Sequence, residues 1–120
     1  MRSIFLLPLA LAGCASTPPP DGIVRARLDQ RVYVDGPYVT PLAVIEDSRC
    51  PVGVQCVSAG RTRVMVRIDL GSRSEFHELC SDTPLQVADG TLSLVEVMPA
   101  AGPGIGLGAY RFGMRFSGGL

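Results

Sequence analysis

TRVMVRIDL, residues 62–70, decides the reading of the fold. Val64, Val66, Ile68 and Leu70 take one parity; Arg63, Met65, Arg67 and Asp69 take the other. A period of two puts successive side chains on opposite faces of an extended chain, so this stretch reads as a half-buried strand. The same period returns in VRARL, residues 24–28, and in YRFGMRF, residues 110–116. The parity predicts Val64, Val66, Ile68, Phe112, Met114 and Phe116 in a core, with Arg63, Arg67, Arg111 and Arg115 outside. A slip of one residue would invert every one of these assignments.

Working outward, shorter apolar runs at 32–34, 39–45, 75–79, 85–88 and 92–98 add strands. Asp35-Gly36-Pro37 marks a turn, and Asp89-Gly90 between two such runs favours a tight hairpin. No stretch carries a helical period, and there is no internal repeat. The expected fold is all-β, a small antiparallel β-sandwich or partly open barrel of about seven or eight strands. A chain of 120 residues is enough for one such domain, expected over residues 23–120.

The chain opens MRSIFLLPLALAGCAS. Arg2 and the apolar run from Ile4 to Ala10 have the layout of an export signal, and the run is too short for a stable membrane-spanning helix. Leu11-Ala12-Gly13-Cys14 resembles the lipobox of bacterial lipoproteins. That resemblance implies a signal peptide over 1–13, removal of which leaves Cys14 as a lipidated N-terminus carrying diacylglyceryl and N-acyl groups. An ordinary signal peptide cut after Ala15 is the alternative. Several acyl chains together hold a protein stably, whereas one alone holds weakly. Ala15 is not the aspartate that often retains lipoproteins in the inner membrane, so the expected location is the outer membrane, facing the periplasm. Residues 14–22, CASTPPPDG, then form a linker. Its prolines favour an extended chain at about 3.1 Å per residue, which would hold the domain roughly 20 Å from the lipid.

Formal charge is zero over the whole chain, so nothing global directs it to nucleic acid. Lys, Asn and Trp are absent, and every basic residue is arginine. That pattern suits a GC-rich coding bias, which lowers the weight of arginine as functional evidence. Arg25, Arg27, Arg63, Arg67, Arg111 and Arg115 nevertheless share the outward parity of their strands. If those strands are neighbours they make a basic face for lipid phosphates or an acidic envelope polymer. Otherwise they are solvated surface.

DSRCPVGVQC, residues 47–56, is the most specific stretch. Asp47, Ser48, Arg49, Cys50, Pro51, Val54, Cys56, Ala59 and Gly60 resemble a motif, D-S-R-C-P-x-x-V-x-C-x-W-A-G, of small bacterial secreted proteins and lipoproteins of uncharacterised function. The tryptophan position is Ser58 here, so this loop must be held down differently. The segment from Pro99 to Phe116 is also similar to theirs. The resemblance implies a fold and a compartment, not an activity. In an oxidising compartment neighbouring cysteines tend to pair. Pro51 and Gly53 allow a tight reversal between Cys50 and Cys56, and Arg49 has Asp47 or Glu46 as an ion-pair partner. Cys80 is left over, as a buried inert thiol or as a partner for Cys50, for Cys56 or for a cysteine of another protein.

Three constellations have the residue types of chemistry. Cys50, Cys56, His77 and Cys80 could ligate zinc or cuprous copper, although Cys-x5-Cys is wider than the usual zinc spacing. Asp47, Ser48 and His77 are the types of a hydrolytic triad, but no glycine-flanked nucleophile turn accompanies them. The glycine-rich run 102–108 lacks a following helix, and Pro103 removes a donor, which argues against a phosphate loop. The expectation is a non-enzymatic, membrane-anchored lipoprotein with a structural or binding role in the cell envelope and no cofactor. Its expected partners are the membrane, through Cys14, and an envelope protein or acidic polymer. A redox- or metal-handling protein is the alternative.

Overall fold

The computed structural model describes residues 21–118. Cys14, the expected signal segment and most of the expected linker lie outside them. Eight strands form: β1 (Val24–Ala26), β2 (Val32–Tyr33), β3 (Tyr38–Asp47), β4 (Thr62–Leu70), β5 (Arg73–Cys80), β6 (Leu85–Val87), β7 (Gly90–Met98) and β8 (Arg111–Gly118). A single 3-10 turn, Leu107–Ala109, interrupts the β7–β8 connection. The strands make two antiparallel four-stranded sheets, sheet A in the order β1-β8-β7-β6 and sheet B in the order β2-β3-β4-β5. This is a small open sandwich and not a closed barrel. All eight strands fall where the period-two runs place them.

The core lies between the sheets, and the parity is as expected. Val64, Val66 and Ile68 of β4 meet Phe112 and Met114 of β8, with Leu79, Leu92, Leu94 and Val39 completing the layer. Phe116 is only half-buried, at the margin of that cluster. Arg67 and Arg115 are exposed; Arg63 and Arg111 are half-buried, with their stems lying along the sheet surface. Pro41 in β3 is tolerated because β2 pairs only with Tyr38 and Val39. Past that point the flank of β3 has no strand neighbour, so a missing N–H costs no ladder bond. The Pro41 carbonyl on that flank accepts the Asp29 amide at 2.6 Å.

The turns behave as read, with one correction. Asp35-Gly36-Pro37 closes the β2–β3 hairpin, with Asp35 at φ 47°. The β6–β7 turn is centred on Ala88-Asp89, one residue earlier than Asp89-Gly90, because Val87 pairs with Gly90. Gly90 is needed for a different reason. A Cβ there would run into the Phe116 ring and come within 2.6 Å of the Ser117 carbonyl.

The condition for a single basic face is not met, because strand order separates its members. Arg25, Arg111 and Arg115 lie on sheet A, while Arg63 and Arg67 lie on the opposite outer surface, on sheet B. Arg63 is paired with Glu78 and Glu46, and Arg67 with Asp69.

Candidate functional site

The D-S-R-C-P residues gather where the β3–β4 loop crosses from sheet B to the end of sheet A. Asp47 is the last residue of β3, opposite Thr62 in the ladder. Its carboxylate accepts two hydrogen bonds from one guanidinium, Arg49 Nε at 2.7 Å and Nη2 at 2.9 Å. It also accepts the Tyr110 hydroxyl at 2.7 Å, across the sandwich. Arg49 Nη1 in turn donates to the carbonyls of Val97 and Pro99, both at 3.0 Å. The side chains of Asp47 and Arg49 are only 15% and 17% exposed. One planar fork thus joins the loop of sheet B to the end of β7, and the tyrosine that precedes β8 closes the cluster. Arginine suits this role, because its donors lie in a fixed plane that serves a carboxylate and two carbonyls together.

The electrostatics follow from those contacts. The Arg49 guanidinium, together with the Tyr110 hydroxyl, holds the Asp47 carboxyl down at about 2 against its desolvation. Partial burial, then the hydrogen bond to Asp47, pushes the Tyr110 hydroxyl up, so it remains a neutral donor. Among the described residues no buried side-chain polar atom lacks a partner.

Ser48 fixes the base of the loop. Its amide donates to the Arg61 carbonyl at 2.8 Å, and its hydroxyl accepts from the Arg61 amide at 3.0 Å. The Cys50 amide reaches the Ala59 carbonyl at 3.1 Å, so the loop closes as a narrow ladder. Gly60 sits in that ladder at φ 69°, and a Cβ on it would collide with the Ser48 carbonyl. Beyond the ladder, Cys50 and Cys56 are disulfide-bonded, with Cα atoms 5.9 Å apart. The loop is therefore tied down by the Arg49 fork, the Ser48–Arg61 pair and the disulfide, with exposed Ser58 taking no part in its packing. Val52, Val54 and Val57 at its tip are exposed.

Sequence reasoning placed the Asp47–Arg49 pair and the disulfide. It did not find the Tyr110 hydroxyl, which also donates to Asp47. Glu46, the other partner offered to Arg49, takes Arg61 and Arg63 instead. Tyr110 was legible only as the residue leading the last strand.

The structure does not bring the other constellations together. Cys50 and Cys56 are joined to each other, and His77 contacts Glu75 at 3.1 Å. On β5, His77 shares parity with buried Leu79, while Cys80 takes the opposite, outer face with exposed Phe76 and Glu78. The buried-thiol reading of Cys80 is thus corrected: it is half-exposed and unpaired. Among the described residues no group of three His, Cys, Asp or Glu side chains is arranged to hold a metal ion. Ser48 faces Arg61, away from any histidine partner. Two shallow grooves flank the site. One of about 330 Å³ runs along Cys80, Asp82, Thr83 and Ser93, and one of about 440 Å³ along Ser48, Ser58, Gly60 and Arg61.

The disulfide carries a direct test. Closing so short a loop is worth about 2–3 kcal/mol on the chain-entropy model. Replacing both Cys50 and Cys56 with serine should lower the denaturation midpoint accordingly. A reductant should do the same to the native protein and nothing to the double variant.

No protein-family model matches this chain, and no curated protein or solved structure matches it.

Proposed function

We propose that this chain is a lipid-anchored protein of the bacterial cell envelope, in which a disulfide-stapled β-sandwich has a structural or binding role and catalyses no reaction. The observation that carries this reading is how the motif uses its polar groups. Asp47 and Arg49 satisfy each other, Tyr110 and two carbonyls, and Ser48 satisfies Arg61. These residues act as a fastening between sheets and leave no activated nucleophile or base in the arrangement. The lipobox-like Leu11–Cys14 supports the anchor, and Ala15 supports the outer membrane, facing the periplasm. The secreted-protein family that the loop resembles supports the same compartment.

The test is anchoring. Cys14→Ser should abolish acylation and move the domain from the membrane fraction to the soluble fraction, with its thermal unfolding unchanged. Unaltered membrane fractionation in that variant would overturn the lipoprotein reading.

A further inference from the structure

The two sheets differ in how their charges are balanced. The strands of sheet A carry three arginines, Arg25, Arg111 and Arg115, against one carboxylate, Glu96. The strands of sheet B carry Arg63, Arg67 and Arg73 with five carboxylates, Glu46, Asp47, Asp69, Glu75 and Glu78, and three of these also take Arg61, Arg49 and Arg31 from the loops, so the charges there balance. Pairing sharpens the contrast. On sheet B each of those arginines has a carboxylate partner. On sheet A only Arg25 does, with Glu96 and Asp21. Arg111 donates only to the carbonyls of Gly108 and Tyr110, and Arg115 only to the carbonyl of Asp21. These bonds leave both guanidinium charges without a counter-ion among the described residues.

The three arginines form one surface. Arg25 pairs in the β1–β8 ladder with Gly113, so it lies between Arg111 and Arg115. A Cβ on Gly113 would come within 2.7 Å of the Glu96 side chain, so the glycine lets β1 and β7 side chains close over β8. Arg27, exposed and without an ion-pair partner among the described residues, extends the surface one residue beyond the Ala26–Phe112 pair. Exposed Val95 and Met98 of β7 border it, a mixture of cationic and apolar side chains.

The chain enters the described structure at this same surface. Asp21 touches both Arg25 and Arg115. The seven residue-to-residue steps from Cys14 to Asp21 would span roughly 20 Å in an extended chain. A tether of that reach starting beside Arg25 keeps sheet A closer to its anchor than sheet B.

We infer that the outer face of sheet A, through Arg25, Arg111 and Arg115, docks flat on the anionic phospholipid surface to which the chain is tethered. The inference rests on the lipid anchor proposed above. Phosphodiester headgroups supply the counter-ions that Arg111 and Arg115 lack, whereas the arginines of sheet B already have theirs within the protein. A polybasic surface gains about 1 kcal/mol per cation near an anionic bilayer, so loss of two arginines should lower the docked-to-undocked ratio about thirtyfold.

The test uses the full lipidated chain in vesicles of phosphatidylcholine alone or of equal parts phosphatidylcholine and phosphatidylglycerol. In a Cys80→Ser background, a fluorophore is placed through Ser93→Cys on sheet A or Phe76→Cys on sheet B, and quenching by a headgroup nitroxide lipid is read. The Ser93 probe should be quenched only when phosphatidylglycerol is present, and high salt should relieve it. The Phe76 probe should stay unquenched. Arg111→Gln with Arg115→Gln should abolish quenching while the protein still floats with the vesicles. Quenching of the Phe76 probe instead, or Ser93 quenching indifferent to phosphatidylglycerol and to both arginines, would overturn the inference. Failure of the unmodified chain to float would overturn the anchor itself, a separate readout.

Discussion

Replacing Arg49 with alanine should destabilise the folded domain by roughly 3 kcal/mol, the range for breaking a charge pair that is mostly shielded from water. The change removes two bonds to Asp47 and leaves the carbonyls of Val97 and Pro99 without their donor. It also strands a carboxylate that is only 15% exposed. Arg49→Lys should recover part of the loss, since an ammonium keeps the charge but cannot span carboxylate and carbonyls in one plane. The pH dependence separates this explanation from a simple loss of packing. Asp47 titrates at about 2 in the folded protein, below the ordinary 3.8. A depressed carboxylate contributes stability that is complete above the unfolded value and is lost as pH falls through the folded one. The gap between native protein and Arg49→Ala should therefore be widest above pH 4 and shrink as the acid limb approaches pH 2. Chemical denaturation at several pH values reads it; a gap constant across that interval would refute the pair as the cause.

Gly60→Ala should cost about 3–4 kcal/mol and loosen the disulfide loop, because two penalties coincide there. The backbone stands at φ 69°, where an L-residue with a Cβ costs about 1–2 kcal/mol. The new methyl would also meet the Ser48 carbonyl, a backbone atom that cannot rotate away. Relief requires moving the ladder that joins Ser48 to Arg61 and Cys50 to Ala59. Gly53 in the same loop is the control. It stands at φ 80° with no atom within 4 Å of the Cβ position, so Gly53→Ala should show only the conformational penalty. Equal midpoints for the two variants in a denaturant titration would remove the collision from the account.

The strands were legible because burial on one side of a sheet writes itself into the chain as period two. Val64, Val66 and Ile68 announce their face in a few residues. β5 shows where that signal weakens. It lies at the edge of sheet B, and buried Leu79 is its sole fully enclosed side chain, so the parity of Cys80 could not be read from its neighbours. The Asp89-Gly90 pair looked like turn chemistry, whereas Gly90 answers to the Phe116 ring on another strand. Which arginines would share a surface was not legible for the related reason that period fixes faces and not strand order. In the motif, Asp47 and Arg49 are two residues apart and their pairing is local. Tyr110 is 63 residues away from Asp47 and leaves no local trace of that contact.

That separation has a kinetic meaning. Arg49 reaches carbonyls 48 and 50 residues ahead, and Asp47 reaches further still. Contacts between distant chain positions carry the largest closure entropy, and they mature only after the segments they join have assembled. The fork and the tyrosine are thus expected to form after the barrier to folding, when both sheets are in place. An interaction absent from the transition state leaves the folding rate almost untouched and appears wholly in the rate of unfolding. The three side chains then govern the lifetime of the native domain: they set how rarely it opens, and so how long it survives among proteases that cut whatever comes apart.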